Sequence, residues 1–292
     1  MAQVLAVPGD VRQGFAYKTT FHHDFGRITG IASTTTGNIL LCDYDKKNLL
    51  LVDPLGKYLN KLSVESEPFD VAITSQNIGY ITFPNIRSVL RIDPDRLVII
   101  HKTITNDQCI TVVCVSAVPN SGRDTENKVP CYLGVKMFNT SYAYPIDNNR
   151  ICLTPEHKHN LSYGHPIDSR VVKFHAIDSG TYFSCIAGQS YIKITNYTRK
   201  YGINENIAQI ETMNMPTDIC SDNNGHVYVS GQGSNNIHRL KQDGKVLDIP
   251  LDSRHGIKQP VALCFTKTMI NYILSMNGEN QYLFLMLFDE RI

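Results

Sequence analysis

The chain has 292 residues, and its 28 Lys and Arg nearly balance its 27 Asp and Glu, so the molecule as a whole lacks the basic field needed to grip phosphate backbones by charge alone. An apolar fraction of 42% is that of a globular protein and argues against global disorder. The 8 cysteines include no CxxC pair, which leaves zinc ribbons, RING modules and thioredoxin-like sites without support and favours buried, reduced thiols.

The N-terminal stretch MAQVLAVPGDVRQ has no basic region followed by a long apolar run, and the late apolar run YLFLMLF is too short to span a bilayer. A soluble, cytoplasmic protein is expected. The next stretch, GFAYKTTFHH, alternates Phe15, Tyr17, Thr19 and Phe21 against smaller or polar partners, the period of a strand. The first repeating unit, 27–64, reads RITGIASTTTGNILLCDYDKKNLLLVDPLGKYL. It holds short apolar runs separated by turns at Gly37 and Gly56.

The same order returns at 67–105, where Val71 takes the place of Ile31 and Tyr80 to Phe83 form the second strand. Unit 108–165 carries the strand-like runs ITVVCVSAV, CYLGVKMF and SYAYPI around the polar insert PNSGRDTENKVP. Unit 168–208 aligns through Gly180. Unit 213–252 repeats the first without a gap as far as the third strand, with Ile219 on Ile31, Gly225 on Gly37, Ile237 to Leu240 on Leu49 to Val52, and Gly244 on Gly56. Unit 257–292 keeps the strand pattern but lacks the turn glycine.

A meander of this size has two apolar faces and cannot bury both alone; a closed ring of such units buries them against neighbours and leaves no long exposed sheet edge. The expectation is a single all-β domain over 1–292, a six-bladed β-propeller with a period of about forty residues, whose last blade is completed by the N-terminal strand within 12–24.

The pattern formed by Pro216, Asp218, Ile219, Gly225, Tyr228, Asn235, Asn236, Ile237, Asp243, Gly244 and Lys245 resembles the NHL repeat, and LLCDYDKKNLLLVD resembles the NHL propellers that end tripartite-motif ubiquitin ligases. A WD-type propeller fits less well, because the chain has no Trp. The resemblance implies recognition rather than catalysis: substrate or adaptor binding in a ubiquitin-ligase context, or single-stranded RNA in some members. Ligase activity would then reside in RING and B-box modules that this chain lacks, and the chain itself is expected to be no enzyme.

In such a ring, the loops entering the units and those joining second to third strands converge at one end of the channel, where ligands are commonly held. They carry the expected partner-binding residues Tyr44, Lys46, Lys47, Phe83, Asn85, Arg87, Gln189, Tyr191, Gln232, Asn235, Asn236 and Gln259. A mixture of aromatic, arginine and amide side chains suits a protein partner. Tyr44 beside Lys46 and Lys47, or Phe83 beside Arg87, offers the alternative of stacking RNA bases. The neutral total and the acids Asp43, Asp45 and Glu279 oppose RNA, and neither DNA nor membrane is expected.

A channel-mouth, metal-dependent hydrolase or lyase is the third alternative. The aligned position at the start of the inner strands holds Gly30, Asp70, Lys173, Asp218 and Ala262. Two opposed carboxylates with a lysine among them make a poor oxygen cage, and Asp70 and Asp218 are read as turn-capping residues. The cluster His157, His159 and His165 lacks further ligands and is read as a polar loop, so no metal or other cofactor is expected. No GxSxG, phosphate-loop or HExxH motif occurs, and no nucleophile is singled out.

Overall fold

A computed structural model of the chain describes residues 15–17, 24–105, 109–118, 131–137, 140–146, 165–178, 180–198, 202–222, 224–265, 271–276 and 284–289, of which 15–17, 165–166, 198, 271–276 and 284–289 are described as backbone only. His22, His23, His157, His159 and the loop 277–280 lie outside the described residues.

The short strand β1 (Phe15–Tyr17) precedes five blades, each a four-stranded antiparallel meander in chain order. Blade A comprises β2 (Ile28–Ser33), β3 (Ile39–Asp43), β4 (Asn48–Val52) and β5 (Tyr58–Ser63). Blade B comprises β6 (Asp70–Ile73), β7 (Gly79–Phe83), β8 (Ser88–Asp93) and β9 (Val98–Ile104). Blade C comprises β10 (Ile110–Ala117), β11 (Cys131–Met137), β12 (Thr140–Ile146) and β13 (His165–Ile167). Blade D comprises β14 (Val171–Ala176), β15 (Thr181–Ile186), β16 (Tyr191–Thr198) and β17 (Gly202–Gln209). Blade E comprises β18 (Pro216–Ser221), β19 (Val227–Gly231), β20 (Asn236–Leu240) and β21 (Val246–Leu251). The remaining strands, β22 (Pro260–Phe265), β23 (Asn271–Met276) and β24 (Phe284–Asp289), form a further sheet with β1, in which Phe15 pairs with Asp289 and Tyr17 with Leu287.

The all-β propeller architecture is thus present, but the expected six-bladed NHL-type ring is corrected to five blades that each fold from one continuous segment. The sheet drawn from both chain ends is not a unit of that kind. Its β1, β23 and β24 are described as backbone only, so no packed blade core is assigned to it. Among the described residues no helix is long and apolar enough to cross a membrane.

The apolar runs that looked continuous in the sequence are strands buried on both faces. Along β3, Ile39 and Leu41 pack towards Ala262 and Cys264 of β22, while the alternate residues Leu40 and Cys42 pack towards Val71, Ile73, Ile81 and Phe83 of blade B. Each fully buried Leu or Ile contributes roughly 1.5–3 kcal/mol relative to exposure, so the contacts between blades hold the ring together. The turns need left-handed backbone at fixed places. Gly37, Asn77 and Gly225 supply it, with φ of 90°, 58° and 81°, in the turns between first and second strands. Gly37 N donates to Thr34 O at 3.1 Å, and Asn77 N repeats that bond to Thr74 O at 3.0 Å.

Candidate functional site

The inner strands β2, β6, β10, β14, β18 and β22 surround the channel, and most are irregular at one shared place. Pairing with the second strand slips between Ile28 and Gly30, Val112 and Cys114, Val171 and Lys173, Pro216 and Asp218, and Pro260 and Ala262. A bulge re-aims the residue that follows it. Next to these bulges, Gly30, Lys173 and Asp218 gather around Asp70 at the start of β6, while the Cys114 side chain packs in the core between blades C and D. Gly30 leaves the room this crowding demands: a Cβ there would lie 3.0 Å from Asp70 Cα and 3.1 Å from Phe69 O.

The two carboxylates tie neighbouring blades. Asp70 Oδ2 accepts from Val115 N at 2.9 Å and its Oδ1 from Val71 N at 2.7 Å. Asp218 repeats this, with Oδ2 accepting from Leu263 N at 2.6 Å and Oδ1 from Ile219 N at 2.9 Å. Thr82 Oγ1 accepts from Asp70 N at 3.1 Å, and Ser230 Oγ accepts from Asp218 N at 2.9 Å. The Lys173 ammonium donates to Asp70 Oδ1 and lies 3.4 Å from Asp218 Oδ1. Burial alone would favour its neutral form, but the charges of Asp218 and Asp70 and the hydrogen bond to Asp70 raise Lys173 well above its ordinary range. Burial pushes Asp218 up to about 6, against the pull of Lys173 and with the help of Asp70. Burial, then Asp70, raises the Cys114 thiol well above its usual range, so it stays protonated.

Beyond this centre, towards the ends of the inner strands, lies a cavity of about 690 Å³ lined by Lys173, Asp218, His175, Ser221, Ser33 and Phe265 among others. Lys173 and His175 are two residues apart on β14, so both lean towards blade E. Ser221, the last residue of β18, leans back, and its Oγ lies 2.8 Å from His175 Nε2. Burial, with the nearby Lys173 charge, lowers His175 to about 4, so at neutral pH its imidazole is uncharged. Asp222 fixes the backbone just past the serine: its Oδ1 accepts from Asn224 N at 2.9 Å and His226 N at 2.8 Å, and its Oδ2 accepts from Tyr228 OH at 3.2 Å.

None of the residues expected from sequence at the loop-rich rim lines this cavity. The rim brings some of them together: Tyr44 OH accepts from Asn85 Nδ2 at 3.3 Å, Asn85 Nδ2 also donates to Glu67 Oε2 at 3.1 Å, and Lys47 Nζ lies 3.0 Å from Glu67 Oε1. The Arg27 guanidinium stacks 4.3 Å from the Tyr44 ring centroid, and Lys46 pairs with Asp24 at 2.8 Å. Asn235 Oδ1 accepts from Gln259 N at 2.8 Å, and Gln232 N donates to Met215 O at 3.0 Å. Gln189 N closes a turn on Ile186 O at 3.1 Å, and Tyr191 packs beside the core between blades C and D. Arg87 stands apart from these contacts as the left-handed end of a short 3-10 turn. Phe83 and Asn236 are buried, the former in the core between blades A and B and the latter donating through Nδ2 to Thr212 O at 2.9 Å.

The sequence pointed to neither His175 nor Ser221. Two residues beyond the central position, the inner strands carry Ala32, Ala72, Ser116, His175, Cys220 and Cys264; a lone imidazole among small side chains was the available sign.

The sequence matches no protein-family model and no curated protein. In three dimensions the chain is similar to a putative gluconolactonase (TM-score 0.66, 10% identity, covering 94% of this chain and 92% of that one). It is likewise similar to a luciferin-regenerating enzyme (TM-score 0.63, 10% identity, 92% and 93%) and a streptogramin B lyase (TM-score 0.62, 13% identity, 93% and 97%). These likenesses establish a β-propeller fold. The three structures named are of enzymes, and none is a tripartite-motif module, which counts against the expected non-catalytic ubiquitin-ligase module and corrects the expectation of no enzyme.

Proposed function

We propose that the chain is a hydrolase or lyase acting on a small, uncharged organic molecule in the central channel, with His175 as the group that moves the proton. The observation that carries this reading is the 2.8 Å contact between His175 Nε2 and Ser221 Oγ inside the cavity. A neutral imidazole within hydrogen-bond reach of a hydroxyl is the arrangement general-base chemistry needs. The enzymes among the similar structures support it. At the channel centre a single ammonium faces two carboxylates, so among the described residues of the cavity wall no lysine or arginine is left over to hold an anionic substrate.

The donor set does not fit a divalent cation. The space between Asp70 and Asp218 is taken by Lys173, each carboxylate also accepts backbone N–H groups, and among the described residues no three His, Cys, Asp or Glu side chains gather at metal distance. The chemistry is therefore assigned to the chain's own groups. A reducing, cytoplasmic setting accords with the buried thiols of Cys42, Cys114, Cys131, Cys185, Cys220 and Cys264.

The test is turnover of a panel of esters, lactones and β-substituted carbonyl compounds in the presence of EDTA. Wild type is expected to act on at least one member, and His175→Gln to lose about a hundredfold or more in kcat. Because the base works when neutral and burial lowers its pKa, the rate should stay level from neutral pH downward and fall only as pH drops through about 4. Failure of every compound, or a His175→Gln variant at the wild-type rate, overturns the reading.

A further inference from the structure

We infer that Ser221 is a nucleophile that accepts acyl groups from carboxylic esters, its hydroxyl proton passing to His175. The inference rests on the reading of the channel as a catalytic site and specifies its chemistry. Ser221 ends β18 where the chain leaves for the Asp222 turn, and both it and His175 are half-buried on the cavity wall, reachable by a molecule inside it.

Two other serines on the cavity wall are engaged differently. Ser33 Oγ donates to Thr34 O at 3.0 Å, and Ser116 Oγ accepts from Ala176 N at 2.9 Å while donating to Ala117 O at 3.3 Å. Ser221 instead has an imidazole nitrogen at 2.8 Å. Nucleophile and base come from adjacent blades, D and E, and the four-bonded Asp222 carboxylate holds the backbone beside the serine. A hydroxyl and a proton acceptor are thereby held in reach of one another by two separate strands, the nucleophile–base contact a covalent step starts from.

In the first half-reaction Ser221 Oγ forms a bond to the ester carbonyl carbon as its proton moves to His175 Nε2. The bond from that carbon to the alkoxy oxygen breaks, and the leaving oxygen takes the proton from Nε2. In the second, a water oxygen bonds to the acyl carbon while Nε2 takes its proton and returns it to Ser221 Oγ as the acyl–serine bond breaks. The net change is addition of one water across the ester.

The experiment treats the full chain with a fluorophosphonate probe at pH 7.5 and reads intact mass, the labelled peptide and the melting curve. Wild type is expected to gain a single adduct on Ser221, Ser221→Ala to gain none, and His175→Gln to label about a hundredfold more slowly. Independently of any variant, p-nitrophenyl acetate should give a burst of p-nitrophenol equal to one per chain. No adduct and no burst, an adduct elsewhere, or undiminished labelling of His175→Gln overturns the assignment. If panel substrates turn over through His175 while Ser221 stays unlabelled and Ser221→Ala keeps its rate, the nucleophile falls and the enzyme reading stands. If Ser221 labels and bursts through His175 but no panel compound turns over, the nucleophile stands and the enzyme reading falls.

Discussion

Lys173 is the residue on which the centre of the molecule turns. Its ammonium is buried between carboxylates that are themselves almost wholly excluded from solvent. Removing one partner of such a group leaves charge without compensation, whereas replacing the whole group by neutral side chains of similar volume is often tolerated. Lys173→Met alone should therefore cost about 3–5 kcal/mol in urea unfolding, and the triple variant Asp70→Asn, Lys173→Met, Asp218→Asn should recover most of that loss. Equal losses in both variants would show that the contribution comes from the lysine's methylene packing instead. The sequence did align Asp70, Lys173 and Asp218 at one position. The turn-cap role expected of the acids is corrected: both lie inside strands, where they accept from Val71 N and Ile219 N of their own strand and from Val115 N and Leu263 N of the next inner strand, which only the ring places beside them.

At the scale of elements, strands and turns were legible because each follows from a local rule: alternation along β3, a left-handed residue at Gly37 or Gly225. Bulges were not. A slip of register between Val171 and Lys173 leaves no mark in residue type, yet it decides which side chains enter the channel. Blade C was read with least detail because the polar insert at 119–130 separates its strand-like runs in the sequence. Turn glycines differ in what they touch. A Cβ on Gly244, at φ 87° in the β20–β21 turn, would lie 2.5 Å from Ile194 Cδ1 and 3.0 Å from Ala208 Cβ of blade D, whereas Gly188, at φ 69°, has nothing within 4 Å. Gly188→Ala should cost about 1 kcal/mol from backbone strain alone, and Gly244→Ala distinctly more, since a contact between blades must also yield. Thermal melts showing equal shifts would remove blade-to-blade packing as the reason.

For the whole molecule, the repeat and the two-faced burial of each unit made a propeller readable. The NHL wording did not extend to function, because a turn-and-strand pattern describes how a blade folds and carries no information about the chemistry in the channel. The ends of the chain meet in one sheet through β1 and β24. A chain lacking residues 1–23 loses that pairing and exposes β24 as an edge, and its Tm should fall by about 5 °C or more; an unchanged Tm would mean that the strand adds nothing to the ring.

The salt link at the hub also sets traffic. Lys173 is braced between Asp70 of blade B and Asp218 of blade E, so the link crosses the channel beside the cavity that Lys173 and Asp218 also line. On the reading proposed above, a molecule held in the cavity would rest against this link, and what it became would have to leave before another could take its place.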